Sequence, residues 1–465
     1  MKPFDEELVS GSIVRSVWKL AWPIVLMNLI NGVHGMIDQI LIAHSVRHHE
    51  ANAAVGVSWN LFLVVVVSLA SLFHGMGVLI AQSAGKQDRA RMNGVLYHTG
   101  LLTVYLVLFI VTPIGYIVSP YLLQLANTTE EVRAYALPYL RTLFLFGITL
   151  SMNFLLGTAM QTSGDAKTPL VLVVLTTGLH ILFSAAFITG FGPFPELGTT
   201  GAALGAGLAP IPTVLIALSL IVRKKAILGL PEHFTLVPDW TVIRAVARIG
   251  IPSGIHAVVL NIGGIWLYRY IGALADSSAA QAAYTICYAQ LFSFVTWAAL
   301  GLRGSAAALM GQNIGAGKGE RGRRGVHVAA AMGAAWAVVW GVAAWVASDE
   351  LLALFNSSDG DDGTVAALGT SLLHYLSFSG VFLALALALT GGLMGAGDTK
   401  KPMYIAIVTQ IVVLLGVCEI YNRLGMLSAS AIWSAILISH FSRYVLTHAT
   451  FRAAKLKPVL VEAER

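Results

Sequence analysis

Charge is scarce in this chain. Asp, Glu, Lys and Arg together make up 11% of its 465 residues, whereas soluble domains carry about 25%. So few ions cannot cover a water-facing surface of this size, which excludes a disordered segment, a nucleic-acid-binding module and a small secreted scaffold. Cysteine is nearly absent as well. Cys287 and Cys418 both sit inside apolar runs, so neither a disulfide framework nor a metal cluster is indicated. An H-E-x-x-H metal motif is missing, and so is any other recognisable catalytic signature. What the chain has instead is apolar: 57% of residues are hydrophobic and the mean hydropathy is +0.76. These proportions point to an integral membrane protein.

The start does not read as a cleaved secretory signal. Asp5, Glu6 and Glu7 stand where a basic segment is needed, and the apolar run from Val17 outlasts a signal core. The first hydrophobic segment is therefore expected to be a retained transmembrane helix, and neither end shows a lipidation motif. A crossing helix needs about 20 apolar residues. Twelve such runs can be marked, the first six near 16–44, 53–81, 94–118, 135–161, 169–191 and 200–222. The second six lie near 250–274, 281–311, 326–347, 367–395, 402–421 and 428–451. Stretches such as LFLVVVVSLASLF lack the apolar/polar alternation of a membrane β-barrel. The spans are helices.

The chain repeats itself at half its length. QTSGDAKTP at 161–169 returns as MGAGDTKKP at 394–402, and LIAQSAGKQDRAR at 79–91 returns as LMGQNIGAGKGER at 309–321. Trp22-Pro23 has its counterpart in Ile251-Pro252. Two six-helix units follow: an N-terminal bundle at 1–222, a cytoplasmic connecting loop at 223–249 and a C-terminal bundle at 250–465. Six is even, so both copies enter from the same side, and parallel repeats of this kind belong to transporters. Of 29 basic residues, 21 fall in the terminal segments and even-numbered loops, against three in the odd-numbered loops (Arg47, Arg133 and Arg423). The positive-inside rule therefore places both termini in the cytoplasm of a cell whose plasma (inner) membrane holds the chain. The net charge of +6 reflects topology rather than a polyanion partner, and some loop cations can touch anionic lipid heads.

FHGMGVLIAQSAGKQDRA at 73–90, GDAKTP, GDTKKP, GQNIGAGK and the Asp of MIDQILIAHS together resemble the multidrug and toxic compound extrusion (MATE) family. The resemblance spans all twelve helices. It implies an all-α membrane fold of two parallel six-helix repeats forming a V around a central cavity. It also implies export of organic cations or other amphiphiles, driven by inward H⁺ or Na⁺, with no resident cofactor. A monomeric carrier of small molecules, bathed in lipid and with no nucleic-acid partner, is the expected form.

Ionisable residues at membrane depth cost about 2.5–3.5 kcal/mol on insertion scales, so each asks for a partner or a role. Only Asp38 and Glu419 among the 23 acids fall inside spans. Glu419 lies close to Arg423 at a span end. Asp38 matches the family's first-helix aspartate, to which the resemblance assigns cation coupling. Asn31, His34 and Asp38 project within about 60° of one another, and Thr176, His180 and Ser184 within about 80° on the fifth span. The resemblance places that fifth-span face against the first, making a polar pocket in the N-terminal half, and Asn153 joins these coupling candidates. The same side chains would equally serve as a hydrogen-bonded pin between two helices.

The chain also departs from the family. His180 and Ser184 stand where one branch has Asn and Asp, and Ala206 where a Thr is expected. Leu260 and Leu383 replace the acids of another branch. Na⁺ prefers a full shell of oxygen ligands, whereas a proton needs only a titratable site, so proton coupling is favoured over Na⁺. Trp59, Phe62, Met76, Phe154, Tyr284, Tyr288 and Phe292 are candidate walls of an apolar substrate cavity, with Phe73 and Met160 beside them. Helical spacing makes most of them ordinary packing residues too. Arg141, Arg269, Arg303 and Arg443 are the arginines within spans, and for Arg141, Arg269 and Arg303 the simplest reading is snorkelling or pairing across helices. A lipid-linked oligosaccharide flippase of the same superfamily would want several cavity cations, and a channel would want a continuous filter that the sequence does not show.

Overall fold

A computed structural model describes residues 2–45, 49–353, 355, 363–456 and 458, without the side chains of 33–40, 43–45 and 49. Every regular element among the described residues is helical. That follows from the solvent: a backbone in hydrocarbon has no water to bond, and a helix satisfies its own N–H and C=O groups. In chain order, α1 is Ile13–Ser45, α2 His49–Gly85, α3 Arg89–Leu125 and α4 the pair Glu130–Leu145 and Gly147–Ser163. Next come α5 Lys167–Thr189 and α6 Thr199–Val222, then α7 Trp240–Ile271, α8 Ser277–Gly315 and α9 Gly319–Val346. The last three are α10 Thr364–Gly395, α11 Lys400–Arg423 and α12 Ala429–Arg452. Ten of the described helices are long and apolar enough to cross a membrane, and bent α4 makes an eleventh. At 24 residues α12 also has a crossing length, but its sequence carries His440, Arg443 and His448. The twelve expected spans thus correspond one to one with α1–α12 in a multi-pass membrane protein.

The repeated GD motif is a helix stop followed by a helix start. Gly164 closes α4 with φ 107° and Gly397 follows α10 with φ 85°, left-handed values that a side chain would resist. The next residue caps the following helix. Asp165 accepts the Thr168 N–H at 3.0 Å, and Asp398 accepts the Lys401 N–H at 3.4 Å while pairing with its ammonium at 2.7 Å. Pro169 and Pro402 then sit in the first turns of α5 and α11, where no intrahelical N–H partner is needed.

By packing, the described chain divides into two units, residues 2–5 with 29–254 and residues 6–28 with 255–456. The first parts of α1 and α7 are therefore exchanged. Within the first unit, α7 lies so close to α2 that a Cβ on Gly75 would stand 2.1 Å from the Val246 carbonyl. Within the second, a Cβ on Gly301 of α8 would stand 2.7 Å from the Val25 Cα of α1. Small residues at both crossings let the backbones approach, as membrane helices require. The connection after α6 is strapped along α3. Asn93 accepts the Gly229 N–H at 2.8 Å, while the Tyr97 and Tyr105 hydroxyls donate to the Thr235 and Leu236 carbonyls at 2.8 and 2.6 Å.

Candidate functional site

The first unit encloses a cavity of about 580 Å³. Two local departures from straight helix shape its wall. In α3 a π-turn over Val107–Val111 widens the helix, and both its end residues face the cavity. Such turns open the i→i−4 ladder by one residue and recur at functional sites. In α4 the two halves meet at 51°, at Phe146 and Gly147. Carbonyls freed at the bend need new donors. Thr112 of α3 supplies one to Phe144 at 2.9 Å, and the Thr149 hydroxyl bridges the Phe146 and Gly207 carbonyls at 2.8 Å each. A Cβ on Gly207 would meet the Phe146 ring at 2.3 Å, so α6 closes tightly over the bend. Leu150, Ser151, Asn153 and Phe154 follow it onto the cavity wall.

Of the coupling candidates, Asn31, Asn153 and His180 line this cavity, and Thr176 lines it beside His180. His180 is only 2% exposed. Ser184 is fully buried one turn further on, packed so close to α6 that a Cβ on Gly205 would stand 2.2 Å from its hydroxyl. The side chains of His34 and Asp38 lie outside the described residues. Among the apolar candidates, Trp59, Phe62, Phe73 and Phe154 line the cavity. They do so differently: Trp59 is 42% exposed and Phe62 2%, its ring edge-on to Phe144 at 5.4 Å. Met76 and Met160 are buried and are not among the lining residues. Tyr284, Tyr288 and Phe292 belong to the second unit. There Tyr284 stacks on Tyr288 at 4.9 Å and lies parallel to Trp433 at 6.2 Å, within the buried core.

Two lining features were not legible from helix periodicity. Tyr139 and Asn60 face the cavity, and neither stood among the candidates. Thr213 of α6 bonds the Thr176 hydroxyl at 2.8 Å and so fixes the wall beside His180.

Glu419 bonds Arg423 at 2.7 Å and Tyr270 at 3.0 Å, as its place at a span end implied. Arg141 lies over the Tyr116 ring at 4.5 Å, and Arg269 lies 5.5 Å from the Trp266 ring centre. Arg303 and Arg443 have no ion pair among the described residues.

The MatE family model matches residues 23–186 and 252–418, one match in each repeat. This chain belongs to the MATE family. A probable multidrug resistance protein NorM of Thermotoga maritima is 25% identical over 455 residues, covering 95% of this chain and 93% of that protein. The probable multidrug resistance protein YoeA of Bacillus subtilis is 25% identical over 346 residues, 74% of each chain. Among solved structures, an outward-facing multidrug resistance MATE transporter superposes with a TM-score of 0.88 at 19% identity, over 97% of this chain and 98% of that one. The fold is the twelve-helix, two-repeat MATE fold, and MATE membership makes the chain a transporter of the multidrug efflux class.

Proposed function

We propose that this MATE protein exports organic cations or amphiphilic drugs by antiport with H⁺, from the plasma membrane and with both termini in the cytoplasm. The observation that carries the reading is the cavity of the first unit. Apolar and aromatic walls there surround a few convergent polar groups, His180, Asn31 and Asn153 among them, which is the composition of a site for an amphiphile beside a titratable group. The names of the relatives support the substrate class, and the imidazole supports a proton over Na⁺. Basic residues crowding the even-numbered loops support the orientation.

Proteoliposomes holding the full chain test the antiport. An imposed pH gradient is expected to drive counter-transport of ethidium, and an imposed Na⁺ gradient is not. Driving by Na⁺ alone would remove the proton assignment, and no movement with either gradient would remove antiport. For orientation, Phe191→Cys is expected to react with an impermeant maleimide on intact cells while Lys224→Cys resists it; the reverse pattern would invert the topology.

A further inference from the structure

The two repeats build the same crossing with different chemistry. In the first unit, the Thr176 hydroxyl donates to the carbonyl four residues back, at 2.9 Å, and meets Thr213 of α6 at 2.8 Å. Thr409 lies 233 residues after Thr176, the offset that also separates Gly164 from Gly397. Its hydroxyl likewise donates four residues back, to Ile405 at 2.9 Å. Where Thr213 stood, Thr409 has Arg443 of α12, with Nε 3.4 Å from the Thr409 hydroxyl. Thr409 also sits in a π-turn over Val408–Leu415, and Ser439 donates to its carbonyl at 2.8 Å.

Arg443 is 5% exposed, and its Nη2 has no hydrogen-bond partner among the described residues. A guanidinium stays charged in a protein, and a buried charge needs an opposite one. Among the described residues no carboxylate supplies it: Glu419, on the same helix as Thr409, is already held by Arg423 and Tyr270. One turn beyond Arg443, the buried Thr447 hydroxyl is a second group without a partner. Arg303 is a second arginine that replaces an uncharged residue of the first repeat. It lies 230 residues after Phe73, the offset that relates Gln82 to Gln312, and Phe73 is a wall residue of the first cavity. The second unit thus sets arginines at the counterparts of Thr213 and Phe73.

We propose that the second unit holds a binding site for a compact monovalent anion, either the carboxylate of an amphiphilic substrate or chloride, centred on the Arg443 guanidinium. Arg443 presents its free Nη2 to the anion while Thr409 steadies Nε, and the Thr447 hydroxyl is placed to donate beside it. As a substrate carboxylate site, this extends the transporter reading of the first cavity to carboxylate-bearing amphiphiles. As a chloride site, it stands without that reading.

The test uses the purified full chain in detergent. One arm compares Tm in sodium chloride and in sodium gluconate at equal ionic strength; the other compares fluorescent binding of dansylglycine and of uncharged dansylamide. A ligand that binds only the folded state raises Tm, so chloride is expected to raise it saturably if chloride is the occupant. Preferential binding of dansylglycine would identify the carboxylate, and responses to both would show a shared site. Arg443→Gln is expected to abolish the response, and Arg443→Lys to weaken it about tenfold by losing the planar fork. If Arg443→Gln does not fold, the wild-type titration and the Lys variant decide. Equal Tm in both salts with no preference for dansylglycine overturns the proposal, as does a response unchanged in either variant. Proton-driven ethidium transport by the wild type is scored separately, so its failure removes the antiport reading and leaves the anion site to its own assay.

Discussion

Asp165 holds the start of α5 through Thr168 alone, taking its backbone N–H at 3.0 Å and its hydroxyl at 2.8 Å. Lys2 adds an ion pair at 3.0 Å from the first unit's N-terminal residues. Burial by itself would raise this carboxyl, but the two Thr168 bonds and the Lys2 ammonium outweigh it and hold the group below the usual carboxylate range. A depressed folded-state value stabilises the fold above the unfolded value, near pH 4, and that contribution is lost as pH falls through the folded one. Asp165→Ala is expected to cost about 1 kcal/mol as a lost cap. The difference in Tm between wild type and variant should persist from pH 7 to pH 5 and shrink below pH 4. A difference that instead grew on acidification would contradict the assignment.

The crossing of α2 and α7 leaves no room for a methyl group. Gly75→Ala would place a Cβ against a backbone carbonyl that cannot rotate away, so overpacking of about 1–3 kcal/mol is expected. Gly157→Ala is the matched control, because nothing lies within 4 Å of the added atom. It should be neutral, or gain up to about 1 kcal/mol from helix propensity. Thermal denaturation of the two variants side by side separates the packing effect from a general sensitivity to glycine replacement.

The sequence shows twelve spans because a membrane helix needs a long apolar run, and each run is local. It shows the GD motif as a repeated unit because Gly, Asp and Pro each have one local use there: closing a helix, capping the next and entering its first turn. The exchange of the first parts of α1 and α7 is different. Pro23 and Pro252 mark equivalent positions, yet nothing near them says which helices they pack against. Periodicity places His180 and Thr176 on one face of α5, but the neighbour on that face is set by tertiary packing. The same limit separates the aromatic candidates, since spacing along a helix does not tell Trp59 on a cavity wall from Tyr284 in the core. The π-turns over Val107–Val111, Thr285–Leu291 and Val408–Leu415 have no local signature either.

Trp59 and Phe62 make that distinction measurable. Trp59→Ala removes an exposed wall and is expected to raise KM for ethidium several-fold with little change in Tm. Phe62→Ala empties a buried site against Phe144 and is expected to cost about 3–5 kcal/mol. A large loss of stability in the Trp59 variant would move that residue from the cavity wall into the packing.

The coupling proposal turns on Asp38, whose place on α1 shares a turn with His34 and whose helix brings Asn31 to the cavity. A carboxylic acid and an imidazole one helical turn apart are two groups that can each exchange a proton. Such a pair can take a proton on one side and release it on the other as its surroundings change. On this proposal, protonation removes the charge and favours the state that releases substrate. Asp38→Asn keeps the shape and one acceptor of the carboxyl but cannot titrate. The variant should insert, purify and bind ethidium as the wild type does, yet lose transport driven by an imposed pH gradient. His180→Gln should retain transport with its pH dependence displaced, because it removes a cavity-lining titratable group rather than the carboxyl. Wild-type pH-driven rates in the Asn variant would end the proton-site assignment, and failure to fold would leave Asp38 as a structural pin within its bundle.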